Sequence, residues 1–238
     1  MKVNTDSIVL GSWALSKIQT SELLDFTSLV PNMLDIGSGN GLLSIMLAQE
    51  FNGGIQIDAV ELDNAASQQG AENIANCSWC DSVFSHNTDI RRFVDQPDKR
   101  QSYDLIISNP PYFPAVNQAT QAYAKQSKQR KIARNQEGLP IGELLEVIAR
   151  SLNVRGVAFI CLPAIELNSV TQLADSHQLS LSYCMHLRST LTKAPYLVCL
   201  GFSKLKAKTH YSELIIYERT NVYTNDYRML CANFYRNF

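Results

Sequence analysis

Strand-like and helix-like segments alternate along this chain, and the first of them meet at the glycine turn Asp35-Ile36-Gly37-Ser38-Gly39-Asn40-Gly41. Apolar Met33 and Leu34 lead into that turn, and Leu42, Leu43, Ile45, Met46 and Leu47 follow it with helical spacing. Strand, glycine turn, helix is the repeating unit of a mainly parallel sheet with helices as crossovers. Similar patterns predict strands near 33–36, 55–61, 83–86, 104–108, 156–162, 179–187, 196–202 and 214–217. Helices are predicted near 16–29, 41–51, 64–76, 89–94, 141–152 and 165–175, with a tail helix from Asp226. No internal repeat and no linker rich in Pro, Gly or Ser divides the chain. One α/β domain over 1–238 is therefore expected, with a helical segment over 1–30 and the sheet core over 31–238.

Ligands of such sheets sit beyond the C-terminal ends of the strands, so the strand exits carry the candidate residues. The glycine turn is one. Its spacing fails the third glycine of the dinucleotide fingerprint, because position 42 is Leu, and it lacks the Gly-Lys-[Ser/Thr] ending of a phosphate-binding loop. Asp35 would repel a pyrophosphate; it can attract a cationic ligand, directly or through water. Glu61 closes the next strand, where a carboxylate is placed to accept from both hydroxyls of a ribose; the plainer reading is a solvated charge. Asp63 is a second candidate for that work. Asp89 has two readings, a partner for an adenine amino group or the cap of the helix that begins there.

The fourth exit is Asn109-Pro110-Pro111-Tyr112, after the apolar run 103–108. Two prolines end the strand, since neither can donate an N–H and each holds its predecessor extended. They leave the Asn109 amide at a stiff exit, with Tyr112 offering a flat ring for stacking. The Asn109 oxygen and the Pro110 carbonyl can grip the two hydrogens of a planar –NH2 while the ring fixes its plane. The plainer reading is a proline-terminated strand.

Taken in this order, glycine turn, ribose acid, third-strand acid and Asn-Pro-Pro-Tyr resemble the S-adenosylmethionine-dependent methyltransferases that modify a planar nitrogen. Within them the chain is similar to the tRNA (adenine-N6)-methyltransferases acting on adenine 37 of valine tRNA. The likeness runs through the opening segment 1–13, through 59–62 and Glu72-Asn73-Ile74, 104–112, Ala133-Arg134 and the aromatic tail near Phe234-Tyr235. Asn4 and Ser7 replace glycines of the opening motif, and Tyr196 stands where the group often has Arg. The resemblance implies a Rossmann-like class I methyltransferase fold, with a seven-stranded, mostly parallel sheet ordered 3-2-1-4-5-7-6 and one antiparallel strand. It implies S-adenosyl-L-methionine as cofactor, held by Asp35, Gly37, Gly39, Gly41, Glu61 and Asp89, with Thr5 and Asp6 of the opening motif. It gives Asn109, Pro110 and Tyr112 the catalytic work.

With a formal net charge of −1, this is no globally basic nucleic-acid coat. Lys125, Lys128, Arg130, Lys131 and Arg134 nevertheless form a run of cations without an acid, in a long loop after the proline pair. We read them as phosphate contacts to tRNA, each steepening the salt dependence of binding by roughly one unit of slope; solvated charge is the alternative. Lys204, Lys206, Lys208 and His210 form a second group. The six cysteines lack paired metal-ligand spacing and read as reduced thiols, most of them small core residues, so no metal is expected. No apolar stretch approaches the ~20 residues of a membrane span, and no leader opens the chain. A cytoplasmic monomer with tRNA as partner, and neither DNA nor membrane, is the expectation.

Three other readings share these motifs. Asn-Pro-Pro-Tyr also serves enzymes that methylate guanine N2 of ribosomal RNA and others that methylate a glutamine amide in a release factor. The former often carry a second, degenerate domain and the latter an extra N-terminal helical domain, for which about thirty residues before the glycine strand leave no room. A non-catalytic, cofactor-binding RNA chaperone is the third; intact Asn109 and Tyr112 argue against it.

Overall fold

A computed structural model of the chain describes residues 5–20, 30–111 and 138–235. Strands β1 (Asn32–Ile36), β2 (Gln56–Glu61), β3 (Val83–Asn87), β4 (Tyr103–Ser108), β5 (Leu152–Pro163), β6 (Ser180–Arg188), β7 (Leu197–Ser203) and β8 (His210–Ile215) form one sheet. Its order is β3-β2-β1-β4-β5-β7-β6-β8. β7 runs antiparallel to both β5 and β6, and the other pairings are parallel. A short ribbon, β9 (Tyr217–Arg219) with β10 (Val222–Tyr223), stands apart.

Two layers of apolar side chains cover the sheet. One face packs against α1 (Thr5–Thr20), α2 (Leu42–Glu50), α3 (Asn64–Ala75) and α7 (Asn225–Cys231), through Val9, Leu10, Trp13, Leu47, Ile74 and Tyr227. The other packs against α4 (Ile90–Phe93), α5 (Ile141–Ser151) and α6 (Leu167–Ser176), through Phe93, Leu144, Leu145, Ile148, Val170 and Ala174. Covered on both faces, the central strands read as continuous apolar runs: in β1, Met33 belongs to the first layer and Leu34 with Ile36 to the second. Cys161, Cys184, Cys199 and Cys231 are buried in these layers, Cys77 is half-buried and Cys80 exposed, and all six are free thiols.

Two expectations are corrected. Among the described residues the sheet has eight strands rather than seven, because β8 pairs parallel with β6 on the outer edge. Its first four residues, His210 to Glu213, are exposed, so an edge strand of this kind carries no apolar run to betray it. The N-terminal helix begins at Thr5, not at residue 16. Its buried stripe is Ile8, Val9, Leu10, Trp13, Ala14 and Leu15, inside the segment read only as a motif; residues 21–29 of the predicted helix lie outside the described residues. Among the described residues no helix is long and apolar enough to cross a membrane.

Candidate active site

The glycine turn has the backbone its sequence demands. Gly37, Gly39 and Gly41 all have positive φ, at 70°, 57° and 79°, a conformation a Cβ strongly disfavours. The turn is pinned to β2, since the N–H groups of Gly37 and Ser38 donate to the Val60 carbonyl at 2.9 and 3.1 Å. α3 closes on it from behind: a Cβ on Gly70 would lie 2.8 Å from the Gly39 carbonyl oxygen, and Asn73 Nδ2 donates to the Asn40 carbonyl at 2.9 Å. On the open side no atom of the described residues, chain neighbours aside, lies within 4 Å of where a Gly37 Cβ would be. A braced turn with one bare flank can receive a ligand against its backbone.

Asp35 lies beneath this turn, fully buried. Its Oδ2 accepts from the Ser44 N–H at 3.2 Å and the Ser44 hydroxyl at 2.7 Å, so it caps the first turn of α2 from the preceding strand. Its Oδ1 has no hydrogen-bond partner among the described residues. Burial pushes the carboxyl up to about 7 against the two Ser44 bonds, and the charge of Glu61 adds to the rise.

Glu61 is oriented by backbone. Oε2 accepts from the Gly39 N–H at 2.9 Å and Oε1 from the Asp63 N–H at 2.8 Å. Each oxygen has a further lone pair, so the carboxylate is fixed without being saturated. Asp63 does different work from that expected: it is the N-cap of α3, accepting from Ala66 N–H at 2.8 Å. Asp89 takes its capping reading, accepting from Arg91 N–H at 2.9 Å and from the Arg91 guanidinium at 2.6 Å. Hydrogen bonds from Arg91 hold its carboxyl below the usual range.

β4 brings Asn109 to the same edge. Asp35 pairs with Ile107 in the parallel β1–β4 register, and Ser108 Oγ donates to the Ile36 carbonyl at 2.8 Å. Asn109 and Gly37 therefore each stand one residue beyond the bond that ties the two strand exits together. Asn109 is half-buried and its Nδ2 donates to Ser7 Oγ at 2.8 Å; Pro110 follows, half-buried. Thr5 opens α1 and Asp6 Oδ1 accepts from the Tyr196 hydroxyl at 3.4 Å. Tyr112, Lys125, Lys128, Arg130, Lys131 and Arg134 lie outside the described residues. The second cationic group belongs elsewhere: it follows β7, whose C-terminal Ser203 pairs with Val157 early in β5, at the opposite end of the sheet. There Lys204 Nζ donates to the Leu152 carbonyl at 2.6 Å. Sequence reasoning missed Ser44, Gly70, Ser108 and the contacts of Ser7. Only Gly70, a glycine inside a helical pattern, carried a signal of its own.

An eight-stranded sheet of this order, with a braced glycine turn, an oriented acid after β2 and Asn-Pro-Pro at the exit of β4, defines a Rossmann-like class I methyltransferase. Residues 15–174 match the family described as methyltransferase small domain. A tRNA1(Val) (adenine(37)-N6)-methyltransferase of Flavobacterium psychrophilum is 32% identical over 99% of this chain and 92% of its own. Those of Citrobacter koseri and Escherichia coli O157:H7 are each 35% identical over 99% of this chain and 88% of theirs. Among solved structures, a predicted O-methyltransferase of Agrobacterium tumefaciens shares the fold with a TM-score of 0.67 at 10% identity, over 96% of each chain. The chain belongs to the methyltransferase small-domain family and, within it, to the group of tRNA1(Val) (adenine(37)-N6)-methyltransferases.

Proposed function

We propose that this protein transfers a methyl group from S-adenosyl-L-methionine to N6 of adenine 37 in valine tRNA. The observation that carries the reading is the tie between β1 and β4, which brings Gly37 and Asn109 to neighbouring strand exits.

The residues at the turn fit the cofactor. Glu61, already fixed by two backbone N–H groups, has lone pairs left for the ribose hydroxyls. Gly37, Gly39 and Gly41 allow close backbone approach, and the unpartnered Oδ1 of Asp35 favours the cationic end of the ligand, directly or through water. Asp89 would accept from the adenine amino group alongside Arg91, and Thr5 and Asp6 stand at the start of α1, at the same sheet edge. When bound, S-adenosylmethionine supplies a methyl group on a positively charged sulfur with a neutral leaving group.

Neutral adenine N6 is a weak nucleophile because its lone pair is delocalised into the ring. The Asn109 oxygen and the Pro110 carbonyl accept its two hydrogens and favour the more tetrahedral nitrogen as positive charge develops. Tyr112 stacks on the base, a contact worth ~1–3 kcal/mol. The adenine must leave its stack to enter, at a cost of a few kcal/mol that is smaller in a loop than in a duplex. No side-chain base is required, since the product proton can pass to water. The cations from Lys125 to Arg134 hold backbone phosphates of the same loop.

The test is incubation with labelled donor and valine tRNA transcripts, followed by nucleoside analysis. N6-methyladenosine is expected with adenine at position 37 and no label when guanosine replaces it. With ribosomal RNA and a release factor offered in parallel incubations, label in guanine N2 or in a glutamine amide and none in the tRNA overturns the assignment. Neutralising Lys125, Lys128 and Lys131 to Gln should flatten the salt slope of tRNA binding by about two to three units; an unchanged slope removes them from the phosphate contacts.

A further inference from the structure

The first turn of α1 reaches the strand exits with two neighbouring side chains. Ser7 Oγ accepts from Nδ2 of Asn109 at 2.8 Å, a contact spanning 102 positions of sequence. Asp6 Oδ1 accepts from the Tyr196 hydroxyl at 3.4 Å, just before β7. These anchor the turn to both β4 and β7. Behind it the helix is packed into the core: Ile8 is 5% exposed, Val9 and Leu10 not at all, and Gly11 lies close against Met46 of α2. Ser7 is thus presented on a helix whose next turn is buried against the sheet and α2.

We infer that Ser7 is a positioning residue that sets the plane and the facing edge of the Asn109 amide. An Asn side chain has a donating edge and an accepting edge, related by a half-turn about its last torsion, and that torsion is soft. With Nδ2 donating to Ser7 Oγ, Oδ1 lies at the opposite edge of the same amide plane. An amine that must give up its hydrogens needs that accepting edge; a turned amide would present N–H groups to it and the two would repel. Proline fixes the backbone after Asn109 but does nothing for this torsion. The Ser7 hydroxyl supplies a constraint on this torsion from outside the Asn-Pro-Pro segment. The inference rests on Asn109 accepting from the target amine, as proposed above.

Five chains decide it: wild type, Ser7→Ala, Ser7→Thr, Asn109→Ala and the Ser7→Ala/Asn109→Ala double variant. On valine tRNA, Ser7→Ala should lower kcat about tenfold, the loss of one oriented hydrogen bond, with KM for S-adenosylmethionine unchanged. Ser7→Thr should restore it. In single-turnover assays Ser7→Ala should cost nothing further once Asn109 is alanine. Full kcat in Ser7→Ala, or an additive loss in the double variant, overturns the inference. The second readout needs no RNA. The side-chain amide ¹⁵N–¹H resonances of Asn109, identified by their absence from Asn109→Ala, should move in Ser7→Ala and return in Ser7→Thr. Resonances that stay in place overturn the contact whatever the kinetics show. Wild type inactive on every tRNA overturns the substrate reading instead, and the amide resonances still decide whether Ser7 holds Asn109.

Discussion

Asp35 and Asp58 occupy adjacent strands of one sheet, β1 and β2, and their carboxyls are displaced in opposite directions. Burial tends to raise both. At Asp58 it is outweighed by His86 Nε2 at 2.7 Å from Oδ1, and by Lys99 Nζ at 2.8 Å and the Tyr103 hydroxyl at 2.6 Å from Oδ2, which hold the carboxyl at about 2. At Asp35 two bonds from Ser44 to a single oxygen do not offset burial, and the carboxyl stays near 7. Asp58 lines a cavity of about 420 Å³ among the N-terminal residues of β1, β2 and β4, yet His86, Lys99 and Tyr103 there are already engaged with it. A carboxylate with both oxygens occupied is finished as structure. At Asp35 one oxygen carries both bonds and the other has no partner among the described residues.

The contrast breaks most sharply if chemistry and stability do not separate between the two ends. Asn109→Ala, at the site end, should reduce transfer a hundred- to a thousandfold, the range for removing one preorganised polar partner, with unfolding free energy within about 0.5 kcal/mol of wild type. Loss of cofactor binding in the same variant would make the residue structural. Asp58→Ala, at the other end, should do the reverse, costing about 3 kcal/mol of stability by stranding His86, Lys99 and Tyr103 while kcat is unchanged. Acid titration extends the test. Because the folded carboxyl is held below its unfolded value, its contribution is intact at neutral pH. As pH falls from about 4 towards 2 the unfolded chain takes up the proton first, and about 2 kcal/mol is lost. A wild-type acid curve matching that of Asp58→Ala would refute the assignment.

Local chemistry made much of this legible in the sequence. Largely apolar runs placed β1, β2, β4, β5 and β7 to within a few residues, because strands covered on both faces are mostly apolar. The glycine turn, Glu61 and Asn109 were readable because a positive φ, a strand-end acid and a proline stop each require particular residue types. What escaped depends on distant partners. The exposed start of β8 has no apolar signature. α1 lay hidden in a motif whose apolar stripe makes sense only once α2 is packed against it at Gly11 and Met46. Ser44, Ser108 and Ser7 are ordinary serines until the fold delivers Asp35, the Ile36 carbonyl and Asn109 to them. His86 likewise meets its partner only in the fold, since Asp58 is 28 positions away.

Two smaller effects sharpen the comparison. A cationic ligand favours ionised Asp35, and the ligand-free carboxyl keeps its proton until about pH 7. Binding below that pH must expel the proton, so Kd for S-adenosylmethionine should be about tenfold weaker at pH 6 than at pH 8, and Asp35→Asn should flatten the profile. A flat wild-type profile would mean that the spare oxygen faces no positive charge. The sign for stability is opposite to that at Asp58: the folded carboxyl is raised, so its contribution is complete below about 4 and declines as pH rises through 7. Tyr103→Phe is the subtlest probe. It keeps the buried ring and removes one of the three donors to Asp58, which should cost about 1 kcal/mol and move the acid-unfolding midpoint to higher pH, because the carboxyl then takes up its proton sooner. If the midpoint stayed put, His86 and Lys99 would satisfy Asp58 without the phenol. The tyrosine hydroxyl would then be surplus, and a full complement of bonds could not be what separates this carboxylate from Asp35.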